Sequence, residues 1–326
     1  MGSEIKREKY NSKEEEVAAQ EEIWNIILGF TPTALVKCAI RLGIPDILEN
    51  HESPMTLADL ASELKCSQSS LYRIMRFLIH YKHSMADFVL LESTHAMLAP
   101  WHKLSGWVLG NEDLPFEAAH GADLWGFCKA NPSYIKLLND AMACDARAGV
   151  AAVIEGCPDV FEGVRTLVDV GGGDGTALRL IVESCPWIKG INFDLPHVVA
   201  VAPACVGVEH VGGSMFDHVP KADAIYIMKV LHDWTDDDCI AILKKCREAI
   251  PQDTGKVIVI DAIVGREENH EFKGVGLLLD MVMMAHTKEG KERTSKEWSY
   301  VFHEAEFTRY TMKQIRAYQS VIEVYP

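Results

Sequence analysis

Residues 166–175 read TLVDVGGGDG, an apolar strand that runs directly into a glycine-rich turn. The stretch TALRLIVESCP, which has the pattern of an amphipathic helix, follows at 176–186. Nearly continuous apolar strands that alternate with helices are typical of a parallel sheet covered on both faces. The sequence therefore predicts a doubly wound α/β sheet, and its further predicted strands are at 189–196, 222–231, 255–264 and 320–326.

The N-terminal part of the chain has a helical pattern instead. Apolar residues recur at helical spacing over 21–50, and two short amphipathic helices are expected between Thr56 and Tyr81. Such a pair resembles a winged helix-turn-helix. The second helix carries only Arg73 and Arg76, whereas a DNA-reading helix needs base-contacting and phosphate-binding side chains on one face. We therefore expect a packing or dimerisation module.

Composition and charge narrow the functional classes. The chain has 326 residues, of which 48% are apolar, and its 47 acidic and 32 basic side chains give a formal net charge of −15. A nucleic-acid binder or a protein docked on anionic lipid needs a basic face, so neither class is expected. No apolar run approaches the ~18 residues of a membrane span, and the start of the chain lacks the apolar core of a signal peptide. The nine cysteines are scattered without a CxxC pair, which indicates reduced thiols, a cytoplasmic protein and no zinc site.

The glycine turn predicts the class of ligand. Its D-x-G-x-G-x-G spacing over 169–175 lacks the GxxxxGK[ST] pattern of a phosphate-binding P-loop. A dinucleotide fingerprint counted from Gly171 and Gly173 would end on Thr176 instead of on a glycine. Asp194 ends the next predicted strand, where a carboxylate can accept hydrogen bonds from both ribose hydroxyls. These features favour S-adenosylmethionine over a nicotinamide dinucleotide, and a dehydrogenase is the weaker alternative.

Six short motifs carry a family resemblance. They are VDVGGGDGT, FDLPHVV, GGSMF, LHDW at 231–234, GKVIVID and GKERT at 290–294. As an ordered set they resemble the plant small-molecule O-methyltransferases, which act on phenylpropanoids, flavonoids and alkaloids. The resemblance implies a Rossmann-like methyltransferase sheet, S-adenosyl-L-methionine as methyl donor, S-adenosyl-L-homocysteine as product, no metal, and a homodimer. It implies a helical, winged-helix-like dimerisation domain at 1–108 and a methyltransferase domain at 109–326, which opens with a helical cap at about 109–160.

The same resemblance assigns roles to individual residues. The general base falls on His232, and the two acids that orient it fall on Asp261 and Glu292. The residues expected to bind the cofactor are Gly171, Gly173, Asp194, Leu195, Ser214, Met215 and Lys229. The residues expected to line the acceptor pocket are His120, Trp125, Met142, Leu279, Val282, Met283 and Thr287.

The chemistry of these side chains suits methyl transfer to a phenol. A phenol has a pKa near ~10, so its proton must leave as the oxygen attacks the methyl group. A neutral imidazole is a suitable base, typically worth ~10²–10⁴ in rate, and a carboxylate on its other nitrogen fixes the tautomer. His232 follows a buried strand at the carboxyl edge, where open α/β sheets bind ligands. Met281, Met283 and Met284 would form a soft apolar wall for a flat aromatic acceptor.

The chain departs from the family pattern at several positions. Ser214 stands where an aspartate is usual, Val230 where a tryptophan is usual, and Glu306 where a glycine is usual. The region 83–100 is short and lacks both the wing and the YxLTP segment of the family. These departures keep open the alternative of a non-catalytic homologue that binds the cofactor.

The acceptor and the metal requirement rest on finer patterns. The segments GINFDLPHVVA, VEHVGG and MVMMAH most resemble flavonoid-type members, so a flavonoid is the first expected acceptor, a benzylisoquinoline or other alkaloid phenol the second, and a phenylpropanoid the third. The acids at 236–238 open a predicted helix, where negative charge complements the helix dipole. As metal ligands they would indicate a magnesium-dependent methyltransferase class, whose ligand pattern the sequence does not contain.

Overall fold

A computed structural model of the protein describes residues 20, 22–51, 55–78, 85–265 and 272–326. The chain forms two compact units, of which the first ends at Ser93 and the second begins at Thr94. Residues 94–108, which the sequence assigns to the dimerisation domain, therefore lie in the second unit. The functional division near residue 108 stays a prediction.

The first unit is helical. Thr56 caps one of its helices as expected, because its hydroxyl accepts a hydrogen bond from the Asp59 N–H while the Asp59 carboxylate accepts one from the Thr56 N–H. The described residues of this unit contain no strand, and the winged-helix likeness stays a prediction. Part of the second predicted helix, residues 79–81, lies outside the described residues. The helices are α1 (Phe30–Arg41), α2 (Ile44–Asn50), α3 (Leu57–Glu63), α4 (Gln68–Leu78) and α5 (Ala86–Glu92).

The second unit begins with a run of helices that precedes the sheet. Pro132 opens the longest of them, at a position where a missing N–H costs no helical hydrogen bond. These helices are α6 (His95–Leu98), α7 (Leu104–Val108), α8 (Pro115–His120), α9 (Leu124–Ala130) and α10 (Pro132–Gly156), with a 3₁₀ turn at Ala99–Lys103. The helices that follow are α11 (Thr176–Ser184), α12 (Pro196–Val199), α13 (Asp236–Ala249), α14 (Lys273–His286) and α15 (Ser295–Glu304). None of the helices described is long and apolar enough to span a membrane.

The sheet has the doubly wound α/β form that the sequence predicts. Its strands are β1 (Thr166–Val170), β2 (Lys189–Asp194), β3 (Val208–Gly212), β4 (Ala224–Met228), β5 (Lys256–Val264), β6 (Arg293–Thr294), β7 (Arg309–Gln314) and β8 (Gln319–Tyr325). Their order is β3-β2-β1-β4-β5-β8-β7, with β6 beside the end of β5. The strands β1 to β5 pair in parallel, and β8 runs antiparallel between β5 and β7.

The sequence does not predict β7, although it does predict β8. β7 is an edge strand whose side chains are almost all exposed, so it lacks the apolar pattern that identifies the buried strands. β8 is buried along most of its length between two neighbours, and its apolar residues are visible in the sequence.

Apolar layers cover both faces of the central strands. Successive side chains of a strand point to opposite faces, and β1 and β4 accordingly place Val168 and Ile225 in one cluster and Leu167 and Tyr226 in the other. All four side chains are fully buried. The parallel strands thus end together at one carboxyl edge, where polar residues follow each strand.

Candidate active site

The glycine turn after β1 is conformationally demanding. Gly171, Gly173 and Gly175 have φ angles of +72°, +57° and +82°, in the left-handed region that disfavours other residues. A β carbon on Gly172 would lie 2.1 Å from the Asn192 side-chain oxygen, and one on Gly171 would lie 2.7 Å from a Val230 methyl group. These two glycines therefore let the turn pack against its neighbours, whereas a β carbon on Gly173 would meet nothing within 4 Å, so a ligand can approach the backbone there, at the start of α11.

Asp194 is joined directly to this turn. Its Oδ2 accepts a hydrogen bond from the Gly173 N–H at 2.9 Å, and its Oδ1 accepts one from the Leu195 N–H at 2.6 Å. Three of the expected cofactor residues thus form one hydrogen-bonded group at the ends of β1 and β2. Each carboxylate oxygen keeps a further lone pair, so the side chain can also accept hydrogen bonds from two ligand hydroxyls.

A second acid lies beneath the same turn. Asp169 is 1% exposed, and its Oδ2 has no hydrogen-bond partner among the described residues. Burial and the neighbouring carboxyl groups of Asp194 and Asp174 raise the pKa of Asp169 to about 8. No role was predicted for Asp169 from the sequence, although it is the first residue of the glycine pattern.

The remaining expected cofactor residues follow the ends of β3 and β4. Ser214 is held near Asp194, because the N–H of the preceding Gly213 donates to the Asp194 carbonyl oxygen at 2.9 Å. The Ser214 hydroxyl accepts a hydrogen bond from the Phe216 N–H at 3.3 Å, and Met215 packs against the core. Lys229, after β4, donates its hydrogen bond to Asp145 at 2.9 Å.

The structure brings His232 together with both expected acids. His232 lies in a 3₁₀ turn, Leu231–Asp233, that follows β4 and is called the His232 turn below. Its Nδ1 is 2.9 Å from Glu292 Oε1 and 3.7 Å from Asp261 Oδ1, and its Nε2 is 3.8 Å from Asp233 Oδ1. His232, Asp261 and Glu292 are all at most 5% exposed.

The surrounding acids control the protonation of this histidine. Burial alone would lower the pKa of the imidazole, but the carboxyl groups of Asp261, Asp233 and Glu292 raise it to about 9. Burial also raises the pKa of Asp261, to about 7. The carboxyl group of Glu292 adds to this rise, and the imidazole of His232 opposes it. The acids therefore let the imidazole hold its proton to a higher pH than an ordinary histidine does.

The same three side chains could also hold a metal ion. One ligand atom from each of His232, Asp261 and Glu292 lies within 4.8 Å of the others, and the Asp261 Oδ2 and Glu292 Oε2 atoms have no hydrogen-bond partner among the described residues. The acid run at 236–238 has other partners. Asp236 binds Arg293 at 2.9 Å and Lys291 at 3.1 Å, and Asp238 accepts a hydrogen bond from the helix-capping Thr235.

Arg293 stabilises the His232 turn by hydrogen bonds to its backbone, a role that the sequence did not indicate. Its side chain is fully buried, and its guanidinium donates to the carbonyl oxygens of Leu231 and Trp234, each at 2.8 Å. Its Nε donates to Asp236 at 2.9 Å. The guanidinium thus spans the turn on both sides of the histidine. The only sequence signal for this contact is the position of the arginine next to Glu292 in GKERT.

The backbone of the GKERT loop supports the same turn. The Lys291 N–H donates to the His232 carbonyl oxygen at 2.9 Å, and a β carbon on Gly290 would lie 2.6 Å from that oxygen. The Glu292 N–H is in turn held by Asp280 of α14 at 3.0 Å. These contacts fix the relative positions of the imidazole and its acid partner.

The expected acceptor residues are less well connected. His120 lies against the rings of Phe116 and Phe127, with centroids 4.6 and 4.8 Å away, and Phe116 also contacts His286 at the end of α14. α14 carries Leu279, Val282 and Met283, and the Thr287 hydroxyl donates to the Met283 carbonyl oxygen at 2.8 Å. Trp125 on α9 is 58% exposed and Met142 on α10 is 38% exposed.

Comparison with known families identifies both parts of the chain. A family model described as an O-methyltransferase domain matches residues 101–308, and one described as an O-methyltransferase dimerisation domain matches residues 24–83. The first match alone spans more than half of the chain.

Curated relatives align with this chain over almost its whole length. Acetylserotonin O-methyltransferase of Arabidopsis thaliana is 46% identical over 357 residues, covering 96% of this chain and 94% of that protein. Flavonoid 4'-O-methyltransferase 5 of Ocimum basilicum is 41% identical, covering 96% and 99%, and (RS)-norcoclaurine 6-O-methyltransferase of Coptis japonica is 38% identical, covering 96% and 99%. The first alignment is longer than this 326-residue chain, so that relative has residues without a counterpart here.

The fold is shared with distant solved structures as well. Human N-acetylserotonin methyltransferase, solved in complex with S-adenosylmethionine, superposes with a TM-score of 0.80 at 18% identity, covering 100% of this chain and 99% of that one. This likeness shows the fold. The matched family models and the relatives show that the chain belongs to the O-methyltransferase family, as an enzyme with a dimerisation domain ahead of its O-methyltransferase domain.

Proposed function

We propose that this protein transfers a methyl group from S-adenosylmethionine to a phenolic hydroxyl of a small plant metabolite, with His232 as the general base. The observation that carries the proposal is the buried contact of 2.9 Å between His232 Nδ1 and Glu292, at the same sheet edge as the glycine turn and Asp194. A carboxylate on Nδ1 fixes the tautomer and leaves Nε2 to take a proton.

The residues of the glycine turn fit the proposed cofactor. A β carbon on Gly173 would meet nothing within 4 Å, so a ligand has room next to the backbone of the turn at that residue. Asp194 is suited to accept hydrogen bonds from two ribose hydroxyls, with Leu195 and the Ser214–Met215 pair beside it. When bound, S-adenosylmethionine supplies a methyl group on a sulfonium centre. Lys229 is the least suited of the expected contacts, because its ammonium donates to Asp145.

The raised pKa of His232 suits a phenol. A histidine pKa of about 9 lies close to that of a phenol, ~10, so transfer of the phenolic proton to the neutral imidazole is nearly balanced. Asp261 and Glu292 stabilise the imidazolium that forms. The proposed reaction requires no metal, and the cluster of His232, Asp261 and Glu292 is used for proton transfer instead.

We propose a flavonoid as the first acceptor class, with an alkaloid phenol second and a phenylpropanoid third. The 41% identity to a flavonoid 4'-O-methyltransferase supports the first choice and the 38% identity to a norcoclaurine 6-O-methyltransferase the second. The 46% identity to an acetylserotonin O-methyltransferase favours a further candidate, a hydroxylated indole amide. The flat rings of all these acceptors suit the apolar residues of α14.

We further propose a cytoplasmic homodimer, in which residues 1–108 serve dimerisation and residues 109–326, with a cap at about 109–160, serve methyl transfer. The match to a dimerisation domain supports the dimer, as do the exposed apolar side chains of Trp24, Ile26 and Phe30, which are 61–74% exposed. The nine free cysteines support a reducing compartment.

The decisive experiment is a radiolabelled-methyl screen across flavonoids, alkaloid phenols, phenylpropanoids and hydroxyindole amides, with wild type and His232→Ala. We expect labelled product with the wild type only, while both bind S-adenosylhomocysteine equally by calorimetry. His303→Ala is the matched control, because that imidazole is 85% exposed and outside the site. Activity retained by His232→Ala would remove the histidine as base. No product from any acceptor would favour the non-catalytic homologue, and inhibition by a metal chelator would favour a metal-dependent reaction.

A further inference from the structure

A buried polar cluster, distinct from the His232 group, joins three parts of the second unit. The Lys229 ammonium and the Tyr318 hydroxyl both donate to Asp145 Oδ2, each at 2.9 Å. Gln319 Nε2 lies 3.5 Å from the same oxygen. The side chains of Lys229 and Asp145 are only 11% and 5% exposed. Asp145 Oδ2, on α10, therefore accepts hydrogen bonds from residues at the end of β4 and at the start of β8.

The members of the cluster stabilise one another's protonation states. Burial by itself would lower the pKa of Lys229, but Tyr318 and Asp145 raise it well above its ordinary value, so the ammonium stays charged. Burial raises the pKa of Tyr318, so its hydroxyl keeps the proton that it donates. Removing one partner of a buried ion pair leaves the other charge uncompensated, which is far more costly than breaking an exposed pair.

The helix that carries Asp145 packs against side chains of β4 and β8 at this point. Gly149 lies one turn further along α10, and a β carbon there would lie 2.4 Å from the Met228 methyl group at the end of β4. Met142, an expected acceptor contact, lies about one turn before Asp145, so all three residues share one face of α10. The cluster thus fixes the part of α10 that carries Met142.

Lys229 connects the cluster to the His232 turn along the chain. Lys229 has a φ angle of +54°, in the left-handed region that is disfavoured for residues other than glycine. This conformation turns the chain out of β4 and into the His232 turn, which begins two residues later. Lys229 therefore has a strained backbone and a side chain that is held by its hydrogen bond to Asp145.

We propose that Asp145, Lys229 and Tyr318 are positioning residues that hold the acceptor helix α10 in register with the His232 turn. The proposal rests on the function proposed above. With the cluster intact, the acceptor contact at Met142 and the base at His232 are parts of one set of buried contacts. With it loosened, the acceptor hydroxyl is no longer aligned with the base, and a displacement of ~1 Å can cost about 10²-fold in rate.

The test compares acceptor kinetics with cofactor binding in Tyr318→Phe and Asp145→Asn. Tyr318→Phe removes one hydroxyl and leaves the ion pair, so we expect it to fold and to lower kcat/KM for the acceptor about tenfold. Asp145→Asn should lower the same ratio about 10²-fold, through a higher acceptor KM and a lower kcat. The dissociation constant of S-adenosylhomocysteine should stay within about twofold of wild type in both. The matched control is Asp140→Asn, the same change on the same helix in an exposed ion pair with Lys136.

Several outcomes would overturn the proposal. Wild-type kcat and acceptor KM in Tyr318→Phe would show that the cluster does not position the acceptor. A loss of S-adenosylhomocysteine affinity as large as the loss in kcat/KM would assign the cluster to cofactor binding. If Asp145→Asn does not fold, the double variant Asp145→Asn with Lys229→Met removes both charges together, and it should show the same rise in acceptor KM.

A readout without turnover separates this proposal from the proposed function. Hydrogen–deuterium exchange of the α10 amides near Asp145 should be faster in Tyr318→Phe than in wild type and unchanged in Asp140→Asn. Wild-type protein that methylates no acceptor, with this exchange difference present, would refute the function and leave the cluster's hold on α10 standing. Active wild type with no exchange difference would refute the positioning role alone.

Discussion

The His232 turn and the helices expected to bind the acceptor differ in how they are held. Around the turn, the fully buried Arg293 donates to the carbonyl oxygens of Leu231 and Trp234, the Lys291 N–H donates to the His232 carbonyl oxygen, and Glu292 binds the imidazole. The expected acceptor residues include partly exposed apolar side chains instead, such as Trp125 at 58% and Met142 at 38%. Directional hydrogen bonds fix the reacting groups, whereas apolar contacts of this kind tolerate changes in shape. The difference indicates that the chemistry is fixed more tightly than the choice of acceptor.

The largest effect should come from breaking the acid–histidine pair. Glu292→Gln keeps the shape of the side chain but removes the charge that holds Nδ1, so kcat should fall about 10²–10⁴-fold. The base is active only when neutral, so kcat/KM of the wild type should rise with pH up to a pKa of about 9. Removing a negative charge lowers the pKa of His232, so the acid limb of the profile should move to lower pH in the variant.

The measurement is kcat/KM against pH for both proteins. Glu289→Gln is the control, because that residue lies exposed in the same loop. An acid limb at the same pH in Glu292→Gln and wild type would contradict the assignment of the rise to His232.

An intermediate effect is expected from the support beneath the turn. Arg293→Lys keeps the charge but cannot donate to both flanking carbonyl oxygens and Asp236 at once. We expect the free energy of unfolding to fall by about 2 kcal/mol and kcat to fall about 30-fold, with little change in acceptor KM. Denaturant unfolding and steady-state kinetics measure the two effects. The exposed Arg316→Lys is the control, and unchanged kcat in Arg293→Lys would show that the guanidinium is only structural.

The smallest effect should come from the acceptor side. Trp125→Ala removes an exposed ring, so we expect the acceptor KM to rise about fivefold while kcat stays within about twofold and stability changes by less than about 0.5 kcal/mol. Trp187→Ala is a matched control, since Trp187 is 57% exposed but lies between α11 and β2. A fall in kcat as large as that of Arg293→Lys would show that the two regions are not held differently.

The features that the sequence could predict are those formed by residues close together in the chain. The strand, glycine turn and helix at 166–186 are local, because φ preferences and apolar spacing act over a few residues, and the structure has them where they are expected. Asp194 could also be expected at the same edge, because parallel strands end together. The exposed edge strand β7 has no such local signal, and the sequence missed it.

The doubly wound sheet, the glycine turn and the family could be predicted from the sequence, since these follow from local patterns and ordered motifs. Which side chains meet in the site depends on how the whole chain folds. His232 and Glu292 are 60 residues apart in the chain and Lys229 and Asp145 are 84 apart, yet each pair is joined at 2.9 Å. The raised pKa of His232 and the anchoring of α10 likewise require the folded chain. Burial and charge act through space, so their effects depend on neighbours that only the completed sheet brings together.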